Sequence, residues 1–152
     1  MAIYKKFRIE ILLSILKQIK QKEDNMKIVI LDASETSRIR TEDLLTDLNV
    51  LAQDIYCFDN AQEAMEFITD ESPDLVFSSL ALADSDGISF TDLLLHKFPK
   101  MVSKLFITSS SKDSQSFQEF KEVGAKRFIN KPIQEDYFKH FISHEINKIL
   151  SN

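Results

Sequence analysis

From residue 26 onward the chain alternates between two hydrophobic rhythms. Short apolar runs, as in strands buried on both faces, are separated by stretches whose apolar residues recur every three or four positions, as in helices buried on one side. Lys27-Ile28-Val29-Ile30-Leu31 predicts a first strand. Ser34 caps a helix running to about Asn49, with Leu44, Leu45 and Leu48 on its inner face. A second strand follows over 52–58, then a helix from Asn60 that buries Ala61, Ala64, Met65 and Ile68. Pro73 breaks that helix, and 74–79 gives a third strand. A loop over 81–87 leads into a helix through Phe98, and 102–108 predicts the fourth strand. The next helix, 113–123, ends before Gly124, a good residue for the left-handed position after a helix. A short fifth strand over 126–129 precedes a last helix over 133–150. That helix carries Ile133, Tyr137, Phe138, Phe141, Ile142, Ile146, Ile149 and Leu150 on one stripe.

Five strand–helix units in strict alternation imply an α/β fold, a parallel sheet with helices on both faces. A ligand or reaction site in such a sheet lies at the carboxyl ends of its strands. Here these ends carry Asp32 and Ala33, Ser79 and the loop after it, Thr108 and Ser109, and Lys131.

Residues 1–25 stand apart. Tyr4, Phe7, Ile11, Leu12, Ile15, Leu16 and Ile19 recur at helical spacing and predict an amphipathic helix over 3–19. Lys22-Glu23-Asp24-Asn25 reads as a linker, dividing the chain into 1–25 and 26–152. The apolar stripe is wide, so the helix needs something to bury against. A dimerisation or docking helix is one reading, with Tyr4, Phe7, Ile11, Ile15 and Ile19 as contact candidates. Others are a helix packed on its own domain, a segment upstream of a true start at Met26, and a basic helix on a membrane surface.

Composition narrows the function classes. A chain of 152 residues, 43% hydrophobic, suits one domain with a real core. A net charge of −5 with no basic patch argues against direct nucleic-acid binding. Two glycines, Gly87 and Gly124, leave no room for a glycine-rich phosphate cradle. Cys57 is alone, so no disulfide staples the fold, and it reads as a small buried or half-buried apolar residue. The apolar stretch 9–16 is interrupted by Glu10 and Ser14 and is too short to span a bilayer. With no leader features either, a cytoplasmic location is expected. His140 and His144 stand four apart without an evident third zinc ligand, and read as surface residues. Asp84 and Asp86 are either substitute metal ligands or a solvated loop with a turn and cap signal at Asp86-Gly87. Ser109, Ser110 and Ser111 read as a loop capping the next helix, ahead of acceptance of phosphate from a separate kinase.

The strand-end segments carry a resemblance. Ile28-Val29-Ile30-Leu31-Asp32-Ala33-Ser34, Pro73-Asp74-Leu75-Val76-Phe77-Ser78-Ser79-Leu80, Asp86-Gly87, Phe106-Ile107-Thr108-Ser109 and Asn130-Lys131-Pro132 resemble, in order and spacing, the receiver domain of two-component response regulators. The resemblance covers roughly 26–150. It implies a flavodoxin-like, doubly wound five-stranded sheet in the order 2-1-3-4-5, here with an extra N-terminal helix. It also implies a site in which two acids after the first strand hold Mg²⁺ and an aspartate after the third accepts a phosphoryl group. A Thr or Ser after the fourth strand and a Lys after the fifth contact that group. Asp32, Thr108 and Lys131 match this pattern, and Phe128 matches an aromatic switch position. Ala33 replaces the second acid and Ser79 replaces the acceptor.

Those two departures predict a degenerate site. Ser79 has no carboxylate to form an acyl phosphate and no histidine base nearby in sequence. Asp32 alone makes a weak, residual Mg²⁺ ligand, so no cofactor is expected. Asp32 is the obvious partner for Lys131, either in a structural ion pair or with Lys131 turned to solvent. The expectation is a non-enzymatic, phosphorylation-independent protein-interaction module with no output domain. Expected partners are a sensor kinase, a response regulator or chemotaxis-type machinery, with a homodimer possible through the N-terminal helix. In resembling receivers the face made by the helix before the fifth strand, that strand and the last helix binds partners. Two rivals stand beside it: a phospho-switch accepting at Ser79 or a loop aspartate, and a small-molecule-binding pseudo-receiver using the vacated pocket.

Overall fold

The computed structural model describes residues 2–23, 26–110 and 114–151, with side chains described over 5–16, 26–110 and 115–151. Helix α1 covers Ala2–Glu23. Five parallel strands follow, β1 (Ile28–Leu31), β2 (Ile55–Phe58), β3 (Leu75–Ser79), β4 (Leu105–Ser110) and β5 (Phe128–Lys131), in the order β2-β1-β3-β4-β5. Between and after them run α2 (Glu35–Asp47), α3 (Ala61–Glu71), α4 (Gly87–Lys97), α5 (Ser114–Glu122) and α6 (Glu135–Ser151). This is the expected flavodoxin-like architecture with its additional N-terminal helix.

Strand alternation divides the core in two. On β1, Ile28 and Ile30 face α2 and α6, where Leu44, Leu45, Phe138, Ile142 and Ile146 close over them. Val29 and Leu31 face the other way, onto Ile68 of α3, Phe90 and Leu94 of α4, and Phe120 of α5. Each such side chain contributes about 1.5–3 kcal/mol through burial. Phe77 joins the strands of the first layer to its helix, its ring 5.5 Å from Phe106 and 5.8 Å from Phe138.

Several boundaries differ from the sequence reading. Residues 52–54 form a 3₁₀ turn rather than the start of β2, which begins at Ile55. Pro99 opens a second 3₁₀ turn through Ser103, which drops Met101 into the core and delays β4 to Leu105. The fifth strand lies at Phe128–Lys131, later than 126–129. Tyr137 and Leu150 are exposed, because the helical period carries both past the edge of the buried stripe. Cys57 is exposed too, on edge strand β2, with its thiol 3.9 Å from the Glu42 carboxylate. Gly124 does take the left-handed conformation expected of it, at φ +108°.

The α1 side chains over 5–16 are all exposed, so among the described side chains the helix does not pack on its own domain. The contact candidates Phe7, Ile11 and Ile15 are among them, whereas the side chains of Tyr4 and Ile19 lie outside the described residues, as do Ser111 and Asp113. Among the described residues no helix is long and apolar enough to cross a membrane.

Candidate functional site

The carboxyl edge of the sheet brings Asp32, Ser79, Thr108 and Lys131 together. Asp32 follows β1 and is 5% exposed. Its backbone N–H donates to the Phe58 carbonyl, and its Oδ1 accepts from the Ser34 amide at 2.9 Å. Its other oxygen, Oδ2, accepts from Lys131 Nζ at 2.7 Å. The same ammonium donates to Ser79 Oγ at 3.2 Å. Ser79 and Thr108 are register partners across β3 and β4, and both are buried. Thr108 Oγ1 donates to the Ser78 carbonyl at 3.5 Å, the long limit of a hydrogen bond.

Backbone contacts flank this arrangement. Ala33 has no side-chain ligand to offer, and its N–H donates to the Ala81 carbonyl at 3.0 Å. One lone pair of that carbonyl is therefore already engaged. Gly87, the first residue of α4, lies so close to the end of β3 that an added Cβ would stand 1.9 Å from the Ser79 carbonyl oxygen. Lys131 precedes Pro132 through a cis peptide bond.

The loop aspartates are helix caps. Asp84 Oδ1 accepts from the Ala61 amide at 2.8 Å and Oδ2 from the Gln62 amide at 3.1 Å, so this carboxylate holds the start of α3 from across the loop. Asp86 caps its own helix, accepting from the Ser89 amide at 2.8 Å and the Ser89 hydroxyl at 2.9 Å. The Ala61 amide hydrogen bond, before all else, pulls the Asp84 carboxyl below its ordinary range, and the Ser89 amide does the same for Asp86. Both fit the solvated loop reading.

Phe128 is half-buried, its ring 4.9 Å from Phe117 with Lys121 Nζ at 5.9 Å. His140 and His144 are exposed on α6, and no group of three potential metal ligands occurs among the described residues. Sequence reasoning missed Arg38. One turn into α2, its guanidinium reaches back to donate to the Asp32 and Ala33 carbonyls at 2.8 and 3.3 Å. Helical side chains lean toward the N-terminus, so a basic residue one turn past the Ser34 cap was the available signal.

Chemically the site holds one carboxylate, one ammonium and two hydroxyls. The donor set does not fit Mg²⁺, which wants several hard oxygens in octahedral array. The lone carboxylate already has a cation on one oxygen and an amide on the other, and the remaining positions offer a methyl and a hydroxyl.

Residues 28–143 match the family model described as the response regulator receiver domain. The chain is 36% identical over 80 residues to the sensory transduction protein LytT of Enterococcus faecalis, covering 51% of this chain and 31% of that protein. It thus spans about a third of that relative's length. It is 24% identical over 116 residues to the probable chemotaxis protein CheY of Rhizobium etli, covering 76% of this chain and 88% of the other. A two-component response regulator from Clostridium difficile has the same fold, with a TM-score of 0.69 at 18% identity over 82% of this chain and 98% of that one. So does the receiver domain of NtrX from Brucella abortus, with a TM-score of 0.68 at 22% identity over 80% and 98%.

Proposed function

We infer the function from a plain premise: the chain belongs to the response regulator receiver family, whose role is signal transduction in two-component systems. Within that role this chain is a degenerate receiver that works without phosphorylation, by binding protein partners. The observation that carries the reading is the ion pair between Lys131 and Asp32, with Ser79 at the acceptor position hydrogen-bonded to the same ammonium. An acyl phosphate needs a carboxylate nucleophile, and Ser79 has a hydroxyl whose side-chain neighbour is a donor without acceptor capacity. The Lys131 ammonium satisfies Asp32 from within the chain, so the site is held in one arrangement with no ion or phosphoryl group. Partners of this module are a sensor kinase, a response regulator or a chemotaxis-type protein. The face of α5, β5 and α6 offers exposed Tyr137 stacked 5.9 Å from Phe141 as a contact.

The test is an amide NMR titration with Mg²⁺ and then with Mg²⁺ plus beryllofluoride, an acyl-phosphate mimic. The expected result is that resonances of Asp32, Ser79, Thr108 and Lys131 stay in place. Saturable shifts spreading to Phe128 and α6 would overturn the reading in favour of a working phospho-switch.

A further inference from the structure

We propose that α1 is a homodimerisation element: in the dimer each α1 packs against its counterpart from a second copy and against that copy's acidic body. This goes beyond the degenerate site and stands or falls separately from it.

The first observation is that the described side chains of α1, over 5–16, are unpartnered. Phe7, Ile9, Ile11, Leu12, Leu13, Ile15 and Leu16 are each between 46 and 61% exposed. At 3.6 residues per turn these positions cover an arc of about 240° around a helix roughly 33 Å long. One partner helix covers a narrow seam, and a flat lipid surface covers about half a cylinder. An arc this wide, with Arg8 and Lys5 inside it, needs two protein surfaces on different sides of the helix.

Charge selects those surfaces. Residues 1–25 hold six Lys and Arg against three Asp and Glu, a net +3, while residues 26–152 hold 13 against 21, a net −8. Two basic helices repel if they meet alone. A basic helix seated between its counterpart and an acidic body is attracted on one side while it buries apolar area on the other. A second copy supplies both surfaces at once, and a two-fold axis makes the contact reciprocal.

Topology fixes the place. Glu23 ends α1 and Ile28 begins β1, so the helix leaves from the amino edge of the sheet, opposite Asp32 and Lys131. Lys27 is tied there, its amide donating to the Asp74 carboxylate at 3.0 Å and its ammonium pairing with Glu71. The same edge carries Leu51, just before β2, and Leu150, at the end of α6, which are 44 and 56% exposed. These two leucines are exposed apolar positions at the edge of the body from which the helix leaves. The carboxyl edge stays open to other partners.

The experiment is sedimentation velocity of the full chain over a concentration series, compared with the Leu12→Glu/Leu16→Glu variant. Both leucines lie outside the two core clusters, so far-UV circular dichroism is expected to show the same fold. The full chain should sediment at twice its 17.6 kDa mass, and the dimer should loosen as salt is raised. The variant should weaken dimerisation by about a hundredfold or more, because each leucine loses its burial. A monomer at all concentrations, or a dimer that survives the double substitution, overturns the proposal. A dimer that tightens with salt overturns the seating on the acidic body. A monomer that instead floats with phosphatidylcholine–phosphatidylglycerol vesicles assigns the helix to lipid, and also overturns it. None of these outcomes bears on the Mg²⁺ and beryllofluoride titration.

Discussion

Lys131 closes the carboxyl edge of the sheet onto Asp32: its ammonium reaches across from β5 to the carboxylate after β1 at 2.7 Å, spanning the ends of the intervening strands. Asp32 is almost fully buried, whereas the lysine side chain keeps 24% of its surface in water. Replacing Lys131 with Met should therefore cost about 3 kcal/mol, the low end for leaving one member of a buried pair uncompensated. Asp32→Asn/Lys131→Met should cost less than the two single changes added together. Urea unfolding of the four proteins measures the coupling, and additive costs would show that the pair does not act as a unit.

Restoring carboxylates should restore ion binding. In Ala33→Asp/Ser79→Asp, three acids would surround one lysine where the native chain has one. That variant should gain thermal stability on adding MgCl₂, about 1.4 kcal/mol when the ion is at ten times its Kd, while the native chain should not respond. Differential scanning calorimetry with and without the salt reads the difference.

Gly87 has no space for a methyl group. Its missing Cβ would overlap the Ser79 carbonyl, which is backbone and cannot rotate away. Gly87→Ala should destabilise the fold by about 3 kcal/mol, as a severe case of overpacking, and should disturb the β3 end directly. Chemical denaturation reads the cost, and the Ser79 and Leu80 amide shifts show its location.

The caps set an acid limit on the loop over the site. Asp84 and Asp86 titrate below their ordinary range in the folded chain. Their contribution is therefore complete above about pH 4 and is lost as pH falls through the lower folded values. Asp86→Ala should cost about 1 kcal/mol at neutral pH, the usual worth of an N-cap, and nearly nothing once the carboxyl is protonated. Melting temperatures of both proteins across that range should converge at low pH.

Cys57 should behave as an accessible but sluggish thiol. Burial of part of its surface, then the Glu42 carboxylate, push its pKa up from the ordinary value. Reaction with a chromogenic disulfide should be complete in the folded chain, slow at neutral pH and faster as pH rises past the ordinary thiol range. Glu42→Gln should speed it at neutral pH.

The order of the elements, the parallel sheet, the two core faces and the membership of Asp32, Ser79, Thr108 and Lys131 in one site were all legible in the sequence. Each follows from apolar periodicity or from where a strand stops. Element ends were less legible, because the turns at 52–54 and 99–103 contain apolar residues that a strand could equally use. Only tertiary structure decided three things. Cys57 is exposed beside Glu42: the strand order puts β2 at the edge of the sheet, but how far α2 covers each of its residues is set by packing. Asp84 caps α3 through amides 22 and 23 residues away, a partnership no local spacing reveals. Lys131 faces Asp32 across 99 residues of chain because four crossovers bring β5 and β1 to the same edge. The sequence could name both charges, but whether the lysine pairs with the carboxylate or turns to water depends on distances that exist only once the sheet is assembled.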